Sequence, residues 1–333
     1  RFPSEREISA AFKRMVMELP KVGFVEGQGE RSYSGGKDRD YSAFANDKGF
    51  RYALENQGFD VTKVVMDQQV PEDINIIVIS DMREWFTPEQ EANLQQYIDR
   101  GGNLFILGEP KRRDVMNKLF AKFGYEMTTG VLVKRDTNLQ ADVILSYPTA
   151  EADSIAYDFG IMRHRHMVIT TPSTAGLEQI ADKGYTVTNM FTTDTLGVWN
   201  ELETTDFIDD TIRLNPAIGE VEKIYNTVVA LSKKVGNKEQ KIILTGDADC
   251  ISNGEFGRRV PGVRTANFSL ITGAFFWMSD NEVPIDVRRP ALPDDKVYVE
   301  KTGSKVIKWS FMIVLPLLLA GIGIFLWIRR KGR

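Results

Sequence analysis

Four apolar segments of this sequence each run into a cluster of carboxylates and arginines, the side chains most suited to chemistry here. KVGFV leads to Glu26, Gly27, Gly29, Glu30 and Arg31, and INIIVIS to Asp81 and Arg83. NLFILG leads to Glu109 and Arg112, and KIILTG to Asp247 and Asp249. In an open α/β sheet, ligands gather outside the carboxyl ends of the strands. Neighbouring strands would therefore line one crevice with Glu26, Glu30, Asp81, Arg83, Glu109, Arg112, Asp247 and Asp249, able to hold a cation or a polar ligand. The plainer expectation is that these acids cap the helices that follow the strands.

Other chemistry is poorly supplied. The Gly27–Gly36 loop matches neither dinucleotide-binding nor P-loop spacing, and its flanking acids would repel a phosphate, so it reads as a mobile surface loop. His164 and His166, two apart in RHRH, would share a face on a strand, but two imidazoles between arginines do not complete a metal site. Cys250, the single cysteine, reads as a packed small residue, and it excludes a disulfide framework or a cysteine-rich metal site. No nucleophile elbow occurs. Gly108-Glu109-Pro110 stands where a hydrolase on such a sheet would carry its Ser or Cys. No resident cofactor or metal is expected.

The elements that must position these residues follow from pattern. Residues 1–19 read as a helix with its charges on one face, then KVGFVEG as a buried strand. A helix is expected around 43–57, stopped by Gly58, followed by the alternating strand FDVTKVVM. Thr87-Pro88 with Glu89 and Glu91 opens a helix that Gly101-Gly102 closes. NLFILG and a helix over 112–123 come next. The strands are short and continuously apolar, which predicts an α/β fold with a mostly parallel sheet covered by helices on both faces. A strand-rich section spans about 130–240, with a hairpin at Val-Gly-Asn-Lys, and 267–279 forms an apolar helix. The expected organisation is an N-terminal helix (1–19), an α/β domain (20–280), a proline-bearing stalk (281–305), a membrane helix (306–328) and a basic tail (329–333).

Composition supports that division. The 333 residues carry 42 Lys+Arg, 46 Asp+Glu and 42% hydrophobic residues, a globular balance rather than a disordered one. A net charge of −4 implies no basic face, so no nucleic-acid partner is expected. The 20 residues 309–328 are uncharged, with Trp309 and Trp327 near the ends. A helix of that length spans about 30 Å, the thickness of a bilayer core. Arg329, Arg330, Lys331 and Arg333 beyond it fit a cytoplasmic tail, with the main domain outside the cytoplasm. The opening Arg-Phe-Pro, without Met, reads as a fragment or processed form, and an upstream membrane segment is compatible with it.

Taken in order, KVGFVEGQGE, INIIVISDMREWFTPEQEANLQQYIDRGGNLFILGEP, KIILTGDADCISN and NFSLITGAFFWMSDNEVPIDVRRP, ahead of a C-terminal anchor, resemble a known family. It is the gliding-associated GldG-type auxiliary component of bacterial ABC transport systems. The resemblance covers about residues 20–290 plus the anchor. It implies an extracytoplasmic domain with a class I glutamine-amidotransferase-like core, tethered in the inner membrane beside a permease and an ATP-binding subunit. It carries over no catalytic residue and implies no part in gliding itself.

Three functions follow from these readings. The leading one is a non-enzymatic, membrane-anchored auxiliary subunit of an ABC transporter. A second is a membrane-tethered hydrolase using the acidic crevice, with a divalent metal held by Asp247, Asp249 and Glu109. A third, a solute-binding or scaffold protein, would need a deep pocket or a large exposed apolar patch.

Overall fold

The computed structural model describes residues 2–208, 212–285 and 300–332. They fall into two units, Arg1–Val287 and Arg288–Arg333. The first opens with helix α1 (Glu5–Val16), fastened at its start by a reciprocal Ser4–Glu7 capping box. Strand β1 (Lys21–Val25) follows, then a long loop and two single-turn helices, α2 (Ser42–Ala45) and α3 (Leu54–Gln57). These replace the one helix expected over 43–57. Asp47 accepts the Gly49 N–H at 2.7 Å, an Asx turn that competes with helix continuation.

Next come β2 (Asp60–Val64), β3 (Ile74–Ser80), α4 (Pro88–Asp99), β4 (Asn103–Leu107) and α5 (Arg113–Lys122). Thr87 caps α4 as its sequence signals, with Gln90 completing the box and Pro88 at the first turn. The strand-rich section holds β5 (Tyr125–Met127), β6 (Val131–Lys134), β7 (Val143–Pro148), α6 (Tyr157–His164), β8 (Met167–Pro172) and β9 (Leu177–Gln179). It continues with β10 (Thr186–Thr192), β11 (Val198–Glu201), β12 (Asn226–Val235) and β13 (Lys238–Thr245). Helix α7 (Asn253–Gly257), β14 (Arg264–Thr265) and α8 (Asn267–Met278) complete the unit.

The main sheet runs β14-β8-β7-β10-β12-β13-β4-β3-β1-β2. It is mixed, which corrects the expectation of a mostly parallel sheet. Strands β2, β1, β3, β4 and β13 are parallel, whereas β13–β12, β12–β10, β10–β7 and β7–β8 are antiparallel. The hairpin is the physical reason. Only Gly236 and Asn237 separate β12 from β13, and Gly236 takes φ 59°. A parallel partner would need a crossover of a dozen or more residues. His164 and His166 lie on no common strand: the first ends α6, and the second sits beyond it at φ 51°.

The parallel block is covered on both faces. Val22, Phe24, Ile76, Val78, Phe105 and Ile243 pack toward α8 through Phe275. Val25, Ile77, Ile79, Leu104, Ile106 and Leu244 pack toward α4 and α5 through Leu94, Met116 and Leu119. The two-residue strand period splits each apolar run between these layers, so no face is left polar.

The second unit is one helical run, α9 (Lys301–Trp309) and α10 (Leu315–Lys331) joined by a π-helical turn at Ser310–Val314. Pro316 explains the irregular turn, because it has no N–H to donate back along the helix. Thr302–Lys331 is 30 residues long and apolar enough to cross a membrane. Residues 286–299, most of the expected stalk, lie outside the described residues.

Candidate functional site

The carboxyl ends of β1, β3, β4 and β13 meet where the strand order reverses, the usual ligand position in such sheets. At the end of β3 the backbone turns sharply: Asp81 takes φ 47° while its N–H bonds the Leu107 carbonyl at 3.2 Å. After β4, the Gly108 N–H donates to the Thr245 carbonyl at 2.8 Å. A Cβ on Gly108 would stand 2.4 Å from Met127 Sδ and 2.9 Å from that carbonyl oxygen, so only glycine allows this approach. After β13, Thr245 Oγ1 accepts from the Asp247 N–H at 3.0 Å, and Asp247 Oδ1 accepts from the Asp249 N–H at 2.6 Å. These turns aim Asp81, Glu109 and Asp249 at one point.

Arg31 occupies that point. Its Nε meets Asp81 Oδ2 at 3.2 Å, its Nη2 meets Glu109 Oε2 at 3.3 Å, and its Nη1 meets Asp249 Oδ1 at 2.5 Å. Nη1 also donates to the Ala248 carbonyl at 2.9 Å, and the buried Tyr41 hydroxyl reaches the same oxygen at 2.8 Å. Arg39 closes the site from the solvent side, touching Glu109 at 2.5 Å, Asp249 at 3.3 Å and Asp81 at 3.4 Å. Arg31 comes from the glycine-rich loop Gly27–Gly36 expected to be a mobile surface feature, and Arg39 from just beyond it. The loop is instead pinned, with Arg31 among the buried residues.

Burial opposes the Arg31 charge, but Tyr41, Asp249 and Asp81 outweigh it and push its pKa above the arginine range. Glu109 is shifted upward by burial and by Asp81, against the pull of Arg39. Asp247 is shifted far upward by burial and by Asp249. Its Oδ2 is buried with no hydrogen-bond partner among the described residues. A neutral acid there is the state the surroundings favour.

The other candidates of the crevice face elsewhere. Glu26 pairs with Lys63 at 3.1 Å. Glu30 turns back to accept from the Gly27 and Gln28 N–H groups at 2.9 and 2.7 Å. That pair of N–H groups follows β1, where an α/β fold could seat an anion, and the chain's own carboxylate takes them. The Arg83 side chain lies along Gly29, and Arg112 is exposed. Glu109 does two things: its Oε1 accepts from the Lys111 N–H as a cap, while Oε2 pairs with the chain's own arginines. Arg39 and Tyr41 carry no sequence motif. The one signal for them was electrostatic, since buried acids at several strand ends require cations from somewhere.

A second acidic group, Glu201, Glu203 and Glu220, brings carboxylate oxygens within 4.8 Å of one another. Backbone N–H groups already engage it: Glu220 accepts from Leu202 at 2.9 Å and from Asn215 at 2.6 Å, and Glu201 from Glu203 at 3.0 Å. It fastens loops. Cys250 is buried, its Sγ reaching the Asp247 carbonyl at 3.4 Å, and burial pushes its pKa well up, away from a nucleophile.

The model of a family described as "ABC-type uncharacterized transport system" matches residues 19–271. No curated protein matches the chain. Among solved structures, the mmIFT52 N-terminal domain superposes with a TM-score of 0.51 at 13% identity, covering 79% of this chain and 98% of that one. That likeness is one of fold alone. A ThuA-like protein from Parabacteroides merdae aligns with a TM-score of 0.41 at 10% identity, covering 84% of this chain and 94% of that one.

Proposed function

The chain belongs to this family of ABC-type transport systems, and from that premise we propose that it is a non-enzymatic, membrane-anchored auxiliary subunit of a bacterial ABC transporter. Its α/β domain contacts the permease or its cargo outside the cytoplasm, and ATP is hydrolysed on a partner chain. The observation that carries this reading is the family match across residues 19–271, nearly all of the α/β domain. The GldG-type resemblance refines it, as does a glutamine-amidotransferase-like ancestry for the parallel block β2-β1-β3-β4-β13.

The helix Thr302–Lys331 supplies the anchor, and the basic residues at its far end favour a cytoplasmic tail by the positive-inside rule. The strand-end crevice supports a non-catalytic role. Arg31 and Arg39 occupy the positions between Asp81, Glu109 and Asp249 that a divalent ion would need, and Glu30 fills the N–H pair after β1. On this reading the ionic centre locks the 26–41 loop and the strand-end turns into a rigid docking face.

Affinity purification of the tagged, detergent-extracted chain, with mass spectrometry of what accompanies it, tests the proposal. A polytopic permease and a Walker-motif ATPase in stable ratio are expected. Recovery of the chain alone, from extracts in which other ABC complexes stay intact, removes the auxiliary-subunit reading.

A further inference from the structure

Helix α1 is amphipathic, but it is docked the wrong way round for a soluble protein. Its charged residues from Arg6 onward face the domain, while Glu5 is exposed at the N-terminal end of the outward face. Glu7 pairs with Arg51 at 3.3 Å, Lys13 with Glu282 at 3.6 Å, and Arg14 with Asp60 at 3.2 Å, while Arg6 reaches Gln57 at 3.4 Å. Ala10 is the only buried residue of the helix, and it sits against Gly58, where an added Cβ would come within 3.3 Å of its own. At 100° per residue the opposite side carries Ile8, Ala11, Phe12, Met15 and Val16. All five are exposed, with Phe12 at 65%, Met15 at 80% and Val16 at 82%. A surface helix normally turns such a stripe to the core.

We propose that this outward face of α1 lies in the lipid–water interface of the membrane that holds the C-terminal helix, making α1 a second, in-plane contact with the bilayer. The inference rests on the reading of that helix as an anchor. Lys13 ties α1 to Glu282, at the point where the domain hands over to residues 286–299. Fourteen residues, 286–299, precede Glu300, and even fully extended they reach about 50 Å. That tether bounds how far the bilayer can be from Glu282, the residue α1 is tied to, and so raises its effective concentration there. A modest apolar stripe is enough under those conditions, as for interfacial helices generally.

Other occupants fit this face less well. A second copy meeting through five side chains of one helix buries far less than the roughly 800 Å² per partner of a stable interface. An acidic partner is disfavoured, because the basic residues of α1 all point inward. Insertion is apolar, and binding is consequently insensitive to salt and to anionic lipid.

The full chain is reconstituted in phosphatidylcholine vesicles containing a doxyl-labelled lipid, with one introduced cysteine carrying an environment-sensitive fluorophore. Met15→Cys reports on α1, Lys48→Cys on an exposed loop, and Leu318→Cys on the anchor; the native Cys250 is buried and stays unlabelled. The expected result is quenching at position 15 several-fold stronger than at 48, unchanged in high salt. Quenching at 318 with position 15 no different from 48 overturns this proposal and leaves the anchor standing. A blue-shifted probe at 15 without lipid quenching assigns the face to protein and also overturns it. Absence of quenching at 318 removes the anchor, and this inference with it.

Discussion

Arg31 satisfies three carboxylates at once, so its loss costs more than a hydrogen bond. Removing one partner of a buried ion network leaves uncompensated charge, and Arg31→Met is expected to destabilise the domain by about 3–5 kcal/mol. Urea denaturation at two pH values checks the cause. Without the guanidinium the folded carboxyl pKa values rise, and a raised carboxyl pKa stabilises below the unfolded value and loses that contribution as pH climbs. The deficit is therefore greatest near pH 8 and shrinks toward pH 4. Arg39, more than half exposed, is screened by solvent, so Arg39→Ala is expected to cost less than about 1 kcal/mol. Asp247 runs the other way. Its folded pKa is raised by burial, so at neutral pH and above it opposes folding. Asp247→Asn keeps an acceptor for the Asp249 N–H and is expected to stabilise by about 1–2 kcal/mol at pH 8, with the gain gone by pH 4. An unchanged or lower stability at pH 8 would show that the carboxylate is accommodated as a charge.

Among the elements, α8 shows how one polar side chain can join distant pieces. Asn267 at its start accepts the Thr170 N–H at 3.1 Å and donates to the Thr170 and Cys250 carbonyls at 2.8 and 2.7 Å. It thereby ties the edge of β8 to the turn after β13. Asn267→Ala strands buried backbone groups and is expected to cost about 2–4 kcal/mol, on the basis of 1–3 kcal/mol for each unsatisfied group. Protection of the Thr170 amide in hydrogen exchange is the local readout, and loss of stability without loss of that protection would place the damage elsewhere. The start of α4 was legible in Thr87-Pro88 with Glu89 and Glu91 because caps are local chemistry. The break between α2 and α3 was not, because the apolar spacing of 43–57 continues across it while the Asx turn at Asp47 interrupts the backbone.

For the whole molecule, the helix Thr302–Lys331 is long and apolar enough to hold the chain at a membrane. A chain anchored by Thr302–Lys331 is expected to stay with the membrane pellet through alkaline carbonate washing. Release into the supernatant would mean that the apolar helix is covered by protein. The domain itself carries a family assignment that its sequence supports, while its likeness to mmIFT52 is of shape only, at 13% identity.

Patterns that operate over a few to a score of residues were readable directly: the buried strands, the two-residue hairpin, the capped α4 and the 20-residue uncharged span. Periodicity and capping act between neighbours, so order along the chain suffices to see them. The mixed sheet was half visible, since the same short hairpin that was expected also forbids parallel pairing of β12 with β13. Two features belong to tertiary structure alone. Arg31 meets Asp249 across 218 positions of sequence, because strand order, not spacing, decides which charges share a crevice. The charged face of α1 looks inward because Arg51, Asp60 and Glu282 happen to stand where it docks. A helix's own sequence sets which residues share a face, but only its neighbours determine which face is covered.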